Sequence, residues 1–295
     1  MMQIIDGKKI SAQIKAELKQ EVYKLKEKGI TPGMAGVLVG DDPASALYVG
    51  MKAKACRKLG IYFDKIIKPN NCPEIELLEL IDSLNKRKDI HGILIQSPLP
   101  KHIDEGKAIL RIDPAKDVDG FHPINQGLML AGKPSFLPAT PAGVVELLTR
   151  SGHKPEGKHV VILGRGYLVG RPLAVLLALK NPKANATVTL CHTGTPDIPS
   201  VARQADILVA AIGKAHYVTK DMVKPGAVVV DVGTNQIEDT SHPKGSRLVG
   251  DVDFERVKDV AGAITPVPGG VGPMTIAMVL TNTVRAAKQK LDDVR

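Results

Sequence analysis

The stretch VVILGRGYLVGRP, residues 160–172, runs four aliphatic residues into three glycines and then into a helix start with Pro172 in its first turn. A short apolar run ending in glycine reads as a buried strand, and proline is favoured at the first positions of a helix. Glycines let the chain turn tightly and approach a phosphate, while the following helix N-terminus offers free N–H groups and the positive end of a dipole. The spacing Gly164, Gly166, Gly170 is G-x-G-x-x-x-G, one residue longer than the common dinucleotide fingerprint, and such a turn can also be purely structural.

The surrounding pattern favours the binding reading. Strand-like runs recur at KHVVILG (158–164), ATVTLC (186–191), ADILVAAIG (205–213) and GAVVVDVG (226–233), alternating with helical segments. Alternation of this kind specifies a parallel sheet with helices on its faces. The run ATVTLC passes into His192, Thr193 and Gly194 without the Asp or Glu that would accept from ribose hydroxyls and repel a 2′-phosphate. Arg165 stands in the glycine turn, so NADP is the expected dinucleotide.

Towards the N-terminus a second series appears: AGVLVG (35–40), YFDKII (62–67) and HGILIQ (91–96). Asp42 before Pro43 marks a helix start, and Leu47, Met51, Ala55 and Leu59 are its expected buried stripe, with Tyr48 and Lys52 at the edge. Tyr48 and Lys52 share a face one turn apart. Read alone, this pair is an ordinary surface lysine beside a tyrosine. A Pro-, Asp- and Gly-rich stretch, 112–141, and a linking helix in GVVELLTRSG separate the two series. The expected fold is therefore two α/β domains with parallel sheets, the second Rossmann-like. The expected boundaries are 1–140 for the first, with a returning C-terminal helix over about 273–295, and 141–272 for the second.

Composition restricts the remaining possibilities. The chain has 295 residues, 43% hydrophobic, with five Tyr, four Phe and no Trp, so its core is aliphatic. The formal charge of +9 favours an anionic partner. Much of the excess, however, lies on KKISAQIKAELKQEVYKLKEKG, where Ile10, Ile14, Leu18, Val22 and Leu25 form the apolar stripe and the lysines a solvated face. With few aromatics to stack bases, nucleic acid is not expected. No apolar run is long enough to span a bilayer, and a cytoplasmic, membrane-free protein is expected. Cys56, Cys72 and Cys191 are widely spaced, and neither they nor the eight histidines show metal-ligand spacing.

Taken in order, GDDPASALYVGMKAK (40–54), HGILIQSPLP (91–100), PAKDVDGFHPIN (114–125), GRGYLVGRP (164–172) and PGGVGPMT (268–275) make the chain resemble the bifunctional methylenetetrahydrofolate dehydrogenase/cyclohydrolase family over essentially its whole length. Short-chain dehydrogenases also use a Tyr-x-x-x-Lys pair, but their glycine turn precedes it, whereas Tyr48 here comes long before Gly164. The resemblance implies NADP-linked oxidation of 5,10-methylenetetrahydrofolate and hydrolysis of the methenyl product to 10-formyltetrahydrofolate. It implies that Lys52 is the catalytic lysine, that Gln96 hydrogen-bonds it, and that Tyr48 packs along the folate. Asp119 would grip the pterin, and Pro268, Gly269, Gly270, Gly272 and Pro273 would let folate and nicotinamide approach the backbone. Gly164, Arg165, Gly166, Gly170, Thr193 and Thr234 would meet the cofactor. A homodimer and a folate substrate, polyglutamylated in some forms, are further implications.

The chain departs from the family pattern at Arg87, Ser97, Ala139, Gly166, Thr193, Gly194 and Thr234. Of these, Gly166, Thr193 and Gly194 remove hydroxyl or basic groups, leaving Arg165 as the remaining contact for a 2′-phosphate.

Overall fold

The computed structural model describes residues 2–240 and 245–292. They form two compact units: the chain up to Ala12 with Thr140–Thr275, and Gln13–Ala139 with the chain from Ile276 onward. The first twelve residues thus fall with the second α/β series, where the sequence reading had put them with the first.

The unit containing Thr140–Thr275 is built on a six-stranded sheet. Its strands lie in the order Gln3–Ile4, Ala263–Ile264, Val228–Asp231, Ile207–Ala210, His159–Leu163, Thr187–Cys191, and every pairing is parallel. Val160, Val161, Ile162 and Leu163 are all buried, as a strand covered on both faces requires. From His159–Leu163 the chain moves to one side to form Thr187–Cys191, then returns to the other side for Ile207–Ala210. The glycine turn leaves the sheet where this winding reverses, the place where open α/β sheets bind ligands. Helix Gly170–Ala178 buries Pro172, Leu173, Leu176 and Leu177 at helical spacing. The two-residue strands Gln3–Ile4 and Ala263–Ile264, and the antiparallel hairpin Asn235–Glu238 with Ser246–Val249, were not expected from the sequence.

The other unit carries a three-stranded parallel sheet, Tyr62–Lys68, Gly33–Val39, Gly92–Ile95, with the wholly buried Gly33–Val39 in the centre. Leu77, Ile81, Leu84, Ile93 and Ile112 pack into its core. Helix Pro43–Leu59 begins as expected: Asp42 accepts from the Ser45 N–H at 2.7 Å, with Pro43 in the first turn. Its buried face corrects the sequence reading. Ser45, Val49, Lys52, Ala53, Cys56 and Leu59 point inward, whereas Leu47 and Met51 are 64% and 44% exposed. Small residues let the helix lie close to the sheet, and that face carries Lys52 inward with it. In the C-terminal helix, Val271–Asp292, Asn282 Nδ2 donates to the carbonyls of Val118 at 2.8 Å and Leu137 at 3.0 Å, so the helix packs back on the loop that carries Asp119.

Among the described residues no helix is long and apolar enough to cross a membrane.

Candidate active site

Lys52 is only 8% exposed and, among the described residues, has no carboxylate in ion-pair contact. Its Nζ donates to Gln96 Oε1 at 3.0 Å, at the carboxyl end of strand Gly92–Ile95. Burial lowers the ammonium's pKa, and the charge of Asp119 pulls it part of the way back up. Burial likewise pushes the Asp119 carboxyl up to about 6, with Lys52 opposing and Asp117 reinforcing the rise. Two titratable groups of opposite sign therefore act on each other electrostatically, the lysine's pKa lowered and the carboxyl's raised. Tyr48, half-buried, lies one turn before Lys52 on the same helix. Cys56, one turn after it, is buried, and desolvation holds its thiol protonated with a pKa of about 12, which makes it a poor nucleophile.

Local hydrogen bonds fix these groups. The Gln96 amide is used at both ends, since its Nε2 donates to the Ser97 carbonyl at 2.8 Å. Ser97 Oγ donates to Glu105, tying the loop to the start of helix Glu105–Arg111. Asp117, not singled out from the sequence, is 1% exposed. It accepts from the N–H groups of Gly120, Phe121 and His122 and from Asn125 Nδ2, at 2.8–3.2 Å. This carboxylate shapes the turn on which Asp119 sits. Its sequence signal was faint: an Asp three to five residues before the N–H groups it binds looks like any turn former. Asp117, Asp119, Ser97 and Glu105 also line a small pocket of about 20 Å³ with Ile93 and Phe121.

In the other unit, the strand His159–Leu163 delivers Gly164 with φ +109°, a backbone conformation that favours glycine. A Cβ on Gly164 would fall 2.1 Å from the Ala211 carbonyl oxygen, and one on Gly170 1.9 Å from that of Gly164. These two glycines are required by close packing. Gly166 has open space around it, and Arg165 beside it is exposed. Among the described residues no side chain caps the N-terminus of helix Gly170–Ala178. An anion fits such a turn: it meets an uncapped helix end and an unburied guanidinium. Thr193 and Thr234 are exposed and follow the carboxyl ends of strands Thr187–Cys191 and Val228–Asp231. Both are therefore at the same end of the sheet as the glycine turn. In the same unit Gly269 has φ +119° and its carbonyl accepts from the Lys8 N–H at 3.1 Å, while the space beside Gly272 is open. Pro268 follows a cis peptide bond.

The structure thus brings Lys52, Gln96 and Asp119 together within one unit. It places Gly164, Arg165, Gly166, Gly170, Thr193 and Thr234 at one sheet end of the other, which also carries Pro268, Gly269 and Gly272. Among the described residues no group of three or more His, Cys, Asp or Glu side chains is arranged to hold a metal ion.

Residues 5–119 match the family model for the tetrahydrofolate dehydrogenase/cyclohydrolase catalytic domain, and residues 138–291 the model for the NAD(P)-binding domain of the same family. The chain is 58% identical over 288 residues to the Bifunctional protein FolD of Dehalococcoides mccartyi (strain CBDB1), covering 97% of each chain. Among solved structures it is similar to the bifunctional FolD methylenetetrahydrofolate dehydrogenase/cyclohydrolase of Campylobacter jejuni. That match has 48% identity and a TM-score of 0.92 over 98% of this chain and 100% of the other. It is also similar to the Trypanosoma brucei FolD enzyme complexed with NADP cofactor and inhibitor, at 40% identity and a TM-score of 0.93 over 98% of both chains.

Proposed function

The chain belongs to the tetrahydrofolate dehydrogenase/cyclohydrolase family, and from that premise we propose how its own residues carry out the family's two reactions. The protein is a bifunctional enzyme. It oxidises 5,10-methylenetetrahydrofolate to the 5,10-methenyl cation with NADP, then hydrolyses that cation to 10-formyltetrahydrofolate. The observation that carries the residue assignment is the buried, pKa-depressed Lys52 held by Gln96 at 3.0 Å.

Bound NADP supplies the hydride acceptor for the first reaction. With NADP bound, Gly164 and Gly170 would shape the phosphate turn, the N-terminal end of helix Gly170–Ala178 would receive the pyrophosphate, and Arg165 would receive the 2′-phosphate. Gly166, Thr193 and Thr234 line the approach. This oxidation releases no proton, so it calls for alignment and for an environment that accepts positive charge, not for a general base. The Asp119 carboxylate, ionised above about pH 6, accepts from adjacent pterin N–H groups and stabilises the cation electrostatically. Tyr48 packs its ring along the folate, and Pro268, Gly269 and Gly272 let a flat ring lie against the backbone.

In the hydrolysis, water attacks the methenyl carbon and must lose a proton as it does so. Neutral Lys52 Nζ takes it, because Gln96 Oε1 accepts one amine N–H and leaves the lone pair aimed away from the amide. The resulting ammonium can return a proton to the ring nitrogen as the five-membered ring opens. The net products are 10-formyltetrahydrofolate and one proton.

The test is direct. Purified protein with methylenetetrahydrofolate and NADP should produce reduced nicotinamide, and it should consume supplied methenyltetrahydrofolate faster than buffer does. Absence of both would leave a ligand-binding protein that has lost turnover. A polyglutamylated substrate, a homodimer and a cytoplasmic location belong to the same proposal. KM against glutamate number, sedimentation and fractionation check each in turn.

A further inference from the structure

Two buried aspartates of the dinucleotide unit have no part in the chemistry above. Asp231, 3% exposed, ends strand Val228–Asp231, and Asp251, 0% exposed, follows the hairpin strand Ser246–Val249. Asp231 accepts from the N–H groups of Gly233, Asp251 and Val252, each at 2.9 Å. Asp251 accepts from three successive N–H groups, Ile212 at 2.6 Å, Gly213 at 2.9 Å and Lys214 at 2.9 Å, and from Asn235 Nδ2 at 2.9 Å. The chain is built around the pair. A Cβ on Gly250 would lie 1.8 Å from Asp231 Oδ2, and one on Gly233 2.3 Å from Asp251 Oδ1.

A buried carboxylate is a costly way to hold a loop, and it persists only where several donors satisfy it. What Asp251 holds is specific. The segment Ala211–Lys214 leaves the carboxyl end of strand Ile207–Ala210, and its Ala211 carbonyl is the atom against which Gly164 rests. Asn235, its other partner, adjoins Thr234. One carboxylate therefore pins both the segment that supports the glycine turn and the segment that presents Thr234. It also consumes three consecutive N–H groups at the ligand end of the sheet and places a negative charge behind them. A phosphate is thereby refused at this segment and left to the glycine turn and Arg165.

We propose that Asp251, through its grip on Ala211–Lys214 and Asn235, is a positioning residue of the dinucleotide site. It sets the support of the glycine turn and directs the cofactor's phosphates to that turn. The identity of the ligand rests on the NADP reading given above; the positioning does not.

The test uses the full-length chain with Asp251→Asn and, as a milder probe, Asn235→Ala. NADP affinity is measured by direct titration, and KM and kcat by oxidation of methylenetetrahydrofolate. Hydrolysis of methenyltetrahydrofolate without dinucleotide is the internal reference. Asp251→Asn should weaken NADP binding and raise its KM by about tenfold or more, hydrolysis falling by far less, and Asn235→Ala should shift both in the same direction by about threefold. Unchanged NADP affinity in folded Asp251→Asn overturns the proposal, as does an equal fall in both activities. Should Asp251→Asn not fold, Asn235→Ala decides alone, and an unchanged NADP affinity there is equally fatal. An unsubstituted protein lacking both activities would refute the enzymatic reading, while the titration would still report on Asp251.

Discussion

Lys52 donates to Gln96 Oε1 at 3.0 Å while Gln96 Nε2 donates to the Ser97 carbonyl at 2.8 Å, so the amide cannot flip without losing both bonds. The acceptor facing the lysine is thus fixed and uncharged. Gln96→Glu replaces it with a carboxylate of similar shape, which favours the ammonium and raises the Lys52 pKa. Only the neutral amine is a base, so the rising limb of hydrolysis against pH should move to higher pH, with roughly a tenfold loss near neutrality. A pH–rate profile superimposable on that of the unsubstituted enzyme would remove Lys52 from the role of base.

Asp119 yields predictions of opposite sign for binding and stability. Its folded pKa is raised to about 6 from 3.8, so the folded state binds the proton more tightly than the unfolded chain. Ionisation of this group therefore costs stability, and the cost grows between about pH 4 and pH 6 and is constant above. Asp119→Asn should raise stability above pH 6 by about 1–2 kcal/mol, after allowing for its partial exposure, and change little near pH 4. Folate KM should rise sharply in the same variant. In the unsubstituted enzyme it should climb as pH falls through about 6. Thermal melts and KM at several pH values check both, and a variant both less stable and normal in KM would contradict the assignment.

Much of this is legible in the sequence. Val160–Leu163 and Val37–Val39 are continuous aliphatic runs each ending in glycine, and strands of that kind declare themselves locally. The helix at Pro43 declared itself through Asp42, but its inward face did not. Leu47 and Met51 recur at one turn, as do Ser45, Val49, Ala53 and Cys56, and only the shape of the sheet beneath chooses the smaller set. The strands Gln3–Ile4 and Ala263–Ile264 have two residues each, and their pairing joins chain segments far apart in sequence. No local pattern encodes that. Asp117, Asp231 and Asp251 were hidden for a related reason: a buried carboxylate that collects backbone N–H groups is written as the same Asp and Gly that mark ordinary turns.

Arg165 is the test of cofactor choice. It is exposed at the glycine turn, and strand Thr187–Cys191 leads to His192 and Thr193 with no acid to repel a 2′-phosphate. Arg165→Ala should raise KM for NADP by roughly tenfold, the scale of one charge-assisted contact, and leave KM for NAD nearly unchanged. Steady-state oxidation with each dinucleotide reads this, and equal shifts for both would assign Arg165 to the shared pyrophosphate instead.

Lys52→Met separates the two reactions. Methionine keeps most of the apolar stem that fills the buried face beside Val49 and Cys56, and it removes a desolvated amine, so the fold should survive. Oxidation moves a hydride and leaves no proton to be taken, so it should lose less than about tenfold. Hydrolysis loses the group that accepts the proton from attacking water, and general-base catalysis contributes roughly 10²–10⁴ in rate. The two activities, measured on one preparation, should therefore diverge by at least about tenfold. Parallel losses would mean that the amine only organises the pocket through Gln96. In that case Gln96→Leu, which removes the partner but spares the amine, should reproduce the same parallel fall.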